Sequence, residues 1–564
     1  MLAVRRLTTI LSLSLVATAL SAQTTPATDA VARRTTEQVS AETDRDASDA
    51  RALRLSLTDA LSTAMRNNLG VELQGYDYRM AGESLRSNYG IYDWFGTATV
   101  ERRSAEGAVI SQAEPNKQKV DLFNFGVQQN LPAGGNYAVG LNTSRVETVG
   151  GFVGVSPAYR PNAFLSVNQP LLRNFGLDVT RRGILIARNT LGINREAFRT
   201  ALMNTAEGVE QAYLNLIYSR RAVEVVKETL FLARDQARIT QIRIDVGASA
   251  PLDILQPRVT IATQEEQLIL AVARVRDAED QLRALMNLPR EEWDKPILPT
   301  QDVTYTPMTV DQNAAVARAL ELRPELRQAR LTTETRRVQY VYARNQRLPQ
   351  LDLNIDYGLA GVGGRSRDID PDTGVVTIRD TGLGDALSQV FANDFPSWTV
   401  GVQVGVPFTN IGARAEARRA QLSLESSKVE QEQTEQTVTL AVRAAARDVD
   451  TAARTIVASR TARDAAERNL EAERRRYENG MTTNFQVLQI QQQLSDSRVR
   501  ELQALVGYNQ AVAAYHRQVG DILEVRGIVT EEPEPANEPR VFSLFDRYNW
   551  LNYGSRLSDE ELRK

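Results

Sequence analysis

Apolar residues recur along this chain at two different periods. Val438, Val442, Ala445, Val449, Ala452 and Ile456 are spaced 4, 3, 4, 3, 4. Val499, Leu502 and Val506 continue the style, and Val209, Tyr213, Leu216, Val223 and Leu230 show it earlier in the chain. A seam sustained over that length predicts side-by-side supercoiled helices rather than one globular core. The faces opposite the seam carry Arg, Glu and Gln, as from Glu471 to Arg476, and read as solvated. The helices are predicted over 178–245 and 413–478. At about 1.5 Å of rise per residue each would reach about 100 Å. Rods of that length need partner helices, which points to a bundle closed by several subunits.

The second period is two. Val400, Val402, Val404 and Val406 alternate with Gly401, Gln403 and Gly405, one apolar face against one small or polar face. Lipid-facing barrel strands have this pattern, and about ten residues suit a tilted crossing. The predicted strands are Leu351 to Leu359 and Trp398 to Phe408, with 361–396 between them reading as a Gly- and Asp-rich outer loop. Earlier in the chain, Trp94 to Arg102 and Ala163 to Leu171 correspond to them. Between these lie Leu122 to Leu131 and Tyr137 to Val146, split by Pro132-Ala133-Gly134-Gly135, a hairpin signal. Two strands or four in the first half both fit. The count is even either way, because both flanking helices must lie on one side of the membrane.

These elements occur as two copies of one plan: helix, strands, very long helix, tight break, long helix. The first copy spans 56–290, the second 309–525, with a linker at 291–308. The breaks align at one offset, Gly247 with Gly480 and Leu255 with Leu488. Glycine at a helix end permits positive φ, Pro251 suits the first turn of the next helix, and Thr483 can cap its counterpart. The breaks Gly247-Ala248-Ser249 and Gly480-Met481-Thr482 therefore read as well-made helix turns.

Composition narrows the function. The chain has 564 residues, no cysteine, one histidine (His516) and a net charge of −3. No cysteine excludes disulfides and thiolate metal sites, and a lone histidine makes Ser–His pairs improbable. Near-neutral charge argues against a nucleic-acid partner. No catalytic, cofactor or metal site is expected. Met1 to Ala22 read as an export signal, with Arg5 and Arg6 before an apolar stretch too short to span a membrane. Residues 23–55 read as a flexible leader. Residues 526–564 read as a tail, with Phe542, Phe545, Tyr548, Trp550 and Tyr553 after a Pro- and Glu-rich linker.

The ordered repetition of these parts resembles the TolC family of outer-membrane efflux proteins, over about 56–525. The specific phrases are Asn168-Gln169-Pro170-Leu171-Leu172, Ala319-Leu320-Glu321-Leu322-Arg323-Pro324-Glu325-Leu326 and the paired glycine tips. The resemblance implies an α+β membrane protein, internally duplicated: a homotrimer whose strands share one transmembrane β-barrel and whose helices form an α-barrel across the periplasm. It implies outer-membrane lipid around the barrel. It also implies a periplasmic adaptor at the tips and an inner-membrane pump beyond it, so the chain would be a passive exit duct without enzymatic activity. Asp253 and Tyr477 match positions where the family joins neighbouring coils by a carboxylate–tyrosine hydrogen bond. Leu252 and Thr482 stand where a second, arginine–threonine latch is usual, so that latch is expected to be missing. Asp253 also reads as a simple helix-start stabiliser. Gln486 and Gln489 replace the family's acidic residues at the constriction, keeping the polarity without the charge that favours cations. A competing reading is a periplasmic adaptor or structural coiled-coil protein, which the duplicated strand pairs oppose.

Overall fold

A computed structural model describes residues 51–529, apart from 109–110, 112–113, 152 and 370–373. The expected export signal, nearly all of the leader and the aromatic part of the tail lie outside the described residues. In chain order the elements begin with β1 (Leu53–Leu55), α1 (Leu57–Asn67), α2 (Leu69–Tyr89), β2 (Phe95–Glu106), β3 (Lys117–Asn130), β4 (Asn136–Val149), β5 (Val155–Pro170), α3 (Arg182–Asp245) and α4 (Leu255–Met286). The second half holds β6 (Ile297–Pro299), α5 (Gln312–Leu322), α6 (Pro324–Asn345), β7 (Gln350–Ala360), β8 (Gly363–Ile369), β9 (Val376–Thr381), α7 (Leu383–Ala392), β10 (Phe395–Gly405), α8 (Ile411–Glu478) and α9 (Asn484–Val519). No helix is long and apolar enough to cross a membrane among the described residues. The chain divides into two units.

One unit comprises residues to Ala60, Val209–Pro307 and Thr451–Ala511. Its core is the heptad seam: Val209, Tyr213, Leu216, Val223 and Leu230 of α3 are all buried, with Ile456 of α8 and Val506 of α9. Two expectations are corrected here. Residues 53–55, assigned to a flexible leader, and 297–299, assigned to a linker, pair as a short parallel ladder, Leu53 opposite Ile297. Polar groups hold that ladder down. Tyr213 donates its hydroxyl to the Leu55 carbonyl at 3.0 Å, and burial raises its phenol pKa, so it stays a neutral donor. Glu279 accepts from the Ile297 amide at 3.1 Å and pairs with Arg220 at 2.6 Å and Arg283 at 3.1 Å. Arg283 also donates to the Lys295 carbonyl at 2.6 Å. Three-residue strands carry almost no sequence signal, which is why they were legible only as connecting chain.

The other unit comprises Leu61–Gly208, Met308–Asp450 and the chain from Val512. Asn68 starts α2 by accepting from the Gly70 and Val71 amides, and Asp311 starts α5 in the same way. Small apolar clusters pin the helices, one of them Leu85, Tyr92, Ile184 and Ala187. The sheet runs β10-β7-β5-β4-β3-β2, antiparallel throughout, with β8 paired to β5 and β9. The first repeat thus supplies four long strands and the second two, the alternative the sequence left open. The segment 361–396, expected as a loop, holds the β8–β9 hairpin and α7. Its glycines serve close packing: a Cβ on Gly361 would lie 2.0 Å from the Ala386 carbonyl oxygen.

The two faces of the sheet differ. Val100, Phe125, Val139, Leu165, Ile355 and Val402 lie on one face, and each is exposed in the chain. Thr99, Asn124, Asn142, Asn162, Asn168 and Asn354 lie on the other. Strands β2 and β10 end the six-strand path, each paired on one side only among the described residues, as is β9 beside β8.

The buried Glu279 group gives a first prediction. Glu279→Ala should cost about 3–5 kcal/mol, because it strands Arg283 and Arg220 without their carboxylate. Asp280→Ala, which removes a largely exposed partner of Arg283, should cost about 1 kcal/mol or less. Unfolding in denaturant, followed by circular dichroism, measures the contrast, and equal losses would refute it.

Candidate functional site at the helical tips

Both breaks in the long helices close in the same way. At the end of α3, the Ala248 amide donates to the Arg243 carbonyl at 2.7 Å and the Gly247 amide to the Ile244 carbonyl at 2.9 Å. At the end of α8, Met481 donates to Arg476 at 2.9 Å and Gly480 to Tyr477 at 3.0 Å. This is the paired six-to-one and five-to-two bonding of a Schellman cap. It demands a left-handed residue, and Gly247 and Gly480 have φ of +76° and +71°. A Cβ on either would meet nothing within 4 Å. Conformation alone, not crowding, therefore calls for glycine there.

The second helix of each hairpin starts on its own signal. The Asp253 carboxylate accepts from the Ala250 amide at 3.0 Å beside Pro251, which opens a 3-10 turn leading into α4. The Thr483 hydroxyl accepts from the Gln486 amide at 3.4 Å at the start of α9. No hydrogen bond joins Asp253 to Tyr477 within the chain. Asp253 is an exposed helix starter here, whereas Tyr477 is buried with Leu470, Val487, Ile490 and Leu494. Ala248, Met481, Gln486 and Gln489 are exposed, and Ser249 and Thr482 are half-exposed. Gln486 and Gln489, three apart, share one face of α9.

Arg243 is one residue that sequence reasoning missed. Its guanidinium stacks on the Tyr477 ring, 4.5 Å from the centroid, and donates to the Tyr477 carbonyl at 3.1 Å. That carbonyl also accepts from Gly480, so one oxygen ties the end of α3 to the cap of α8. Gln236 donates to the Asn484 side chain at 2.7 Å, a second tie between the hairpins. Glu473 was missed as well. It is buried and accepts from the Thr482 hydroxyl. A basic residue in the last turn before a glycine was the available sign of Arg243, but it gave no partner. The tip surface also carries apolar residues: Val246, Leu252, Met481 and Phe485 are between 56% and 74% exposed.

The match to the outer membrane efflux protein model covers residues 136–288 and 315–520, both repeats with their tips. The chain belongs to that family. The efflux protein is 23% identical over 356 residues to the pyoverdine export outer membrane protein OpmQ of Pseudomonas putida, covering 61% of this chain and 67% of the relative. It is 23% identical over 389 residues to the outer membrane efflux protein BepC of Brucella suis, covering 67% and 77%. Its fold matches the CmeC outer membrane channel of Campylobacter jejuni with a TM-score of 0.58 at 15% identity, over 87% of this chain and 88% of that one. The TolC-like resemblance therefore holds, and the protein is an outer-membrane efflux channel component of a family of channel proteins.

The caps generate a prediction for this efflux protein. Gly247→Ala and Gly480→Ala should each loosen their tip by about 1–2 kcal/mol, since alanine must adopt positive φ. Limited proteolysis of the folded protein should then cut several-fold faster at the altered tip. Unchanged cleavage at both would show that the caps tolerate a side chain.

Proposed function

We propose that three copies of this chain close one barrel, edge to edge, and form the exit duct of a tripartite efflux or type I secretion system. The observation that carries this reading is the open sheet. Its apolar face suits lipid, and its edges β2 and β10 leave backbone groups that hydrocarbon cannot satisfy. Pairing β10 of one copy with β2 of the next removes both of these edges. Leu69, Leu73, Tyr76 and Met80 of α2, exposed at heptad spacing, supply a seam for a neighbouring copy in the helical part.

The tips Gly247-Ala248-Ser249 and Gly480-Met481-Thr482 dock a periplasmic adaptor, which in turn meets an inner-membrane pump that supplies the energy. Exposed Val246, Leu252, Met481 and Phe485 give that adaptor an apolar contact. Asp253, Tyr477, Gln486 and Gln489 form the periplasmic constriction, Asp253 meeting Tyr477 of an adjacent copy when closed. Glutamine rings keep polarity without charge, so this constriction favours cations less than a carboxylate ring would. Residues 1–22 direct export, and 56–290 and 309–525 are two copies of one ancestral plan. The shared order of strands, long helix, glycine tip and shorter helix supports that division.

Heat-modifiable trimers should be recovered from outer-membrane fractions, and recovery as soluble monomer would refute the barrel. Gly480→Arg should abolish export while trimers persist, because the arginine projects from the tip into open space. Export at the unaltered rate would overturn the docking assignment.

A further inference from the structure

The polar face of the sheet holds Phe95 and Phe395 on its edge strands and one phenylalanine, Phe164, on an inner strand. Across all six long strands one row reads Thr97, Gly126, Gly140, Phe164, Gly358 and Ser397. Every member but Phe164 is small. The rows on either side are rich in amides: Asn124, Asn142 and Asn162 on one, and Asn130, Asn136, Asn168 and Asn354 beyond the other. A phenyl ring in this setting buries no core.

Its geometry is that of an inlay. A Cβ on Gly140 would lie 2.8 Å and 2.9 Å from Phe164 Cε1 and Cζ, and one on Gly126 would lie 3.9 Å from Cζ. The ring therefore reclines across β4 toward β3, on a floor that only glycine keeps low. Phe164 is half-buried, so part of the ring stays open. An open aromatic face attracts cations and stacks with other rings. Asp356 lies two positions from Gly358, the partner of Phe164, which makes it a diagonal neighbour at about 7–8 Å. It is exposed, and its Oδ1 accepts from the Ser166 hydroxyl at 2.6 Å. A flat apolar plate beside a carboxylate complements one chemical class, a planar aromatic cation.

We propose that Phe164 and Asp356 form a lumenal subsite, repeated in each copy, that holds planar aromatic cations as they leave the barrel. The inference rests on the channel reading above, which makes the polar face the wall of the bore. Lipid is the wrong occupant for this face, because the flanking amides would lose their water. A wholly apolar cargo would gain nothing from Asp356.

The test uses the trimer in a planar bilayer, with trimethylphenylammonium or tetramethylammonium added at the barrel mouth. The phenyl compound should block at an about two- to fivefold lower concentration, the factor expected of an exposed cation–aromatic contact. Phe164→Ala and Phe164→Leu should both erase that preference. Leucine keeps the bulk, so its loss cannot be one of packing. Asp356→Asn should weaken both compounds and leave their ratio. A preference that survives both Phe164 variants overturns the subsite. The chain lacks cysteine, so Phe164→Cys and Leu165→Cys report the two faces to a charged thiol reagent. Reaction at Leu165→Cys alone would overturn the channel reading itself, whereas reaction at Phe164→Cys without an aromatic preference would sink the subsite and spare the duct.

Discussion

A strand facing hydrocarbon must find partners for its backbone within protein, because lipid offers none. That requirement organises the rest of this molecule. It asks for long antiparallel strands with one apolar face, and Val400, Val402 and Val404 opposite Ile355, Leu353 and Leu351 provide that face. In the proposed duct it also asks for an even number of crossings, since α2, α3, α6 and α8 would then leave from one side. It also leaves a single chain incomplete. The six-strand path ends in β2 and β10, each paired on one side only among the described residues.

The helical unit meets a different constraint. Its apolar seam runs through Tyr213, Leu216, Leu230 and Ile456, and polar groups tie the flanking segments to it. Glu279 binds two arginines and a backbone amide; Tyr213 and Tyr508 each donate to a carbonyl of the strand-and-linker chain. Such groups add little net stability when intact, but each is costly to leave half-made. They act as registration points between chain segments far apart in sequence. Arg243 plays the same part between the tips, with its stack on Tyr477 and its bond to the carbonyl beneath it.

Much of this was legible in the residues, for identifiable reasons. The heptads named the helices because a buried seam repeats over many turns. The alternation at 400–406 named a strand because lipid and water select opposite faces. The outer ends of β2, β3 and β4 were missed: Glu106, Lys117 and Glu147 follow the strand period but carry charge, so the alternation of hydrophobicity stops where pairing continues. The β1–β6 ladder and the hairpin within 361–396 were missed because three residues, or a Gly- and Asp-rich run, resemble loop. At the tips the glycines were readable from local conformation. Arg243 was not, since its partner lies 234 positions away. The helix-start role of Asp253 is the one its hydrogen bond displays within the chain.

The two caps have a wider implication. Each is closed by backbone amides and carbonyls, with glycine as the only sequence requirement at the turn itself. The hairpin's shape is thus insulated from the identity of Ala248, Ser249 and Met481. Those positions are at liberty to vary, so the surface of each tip can change by substitution alone without renegotiating the fold that presents it.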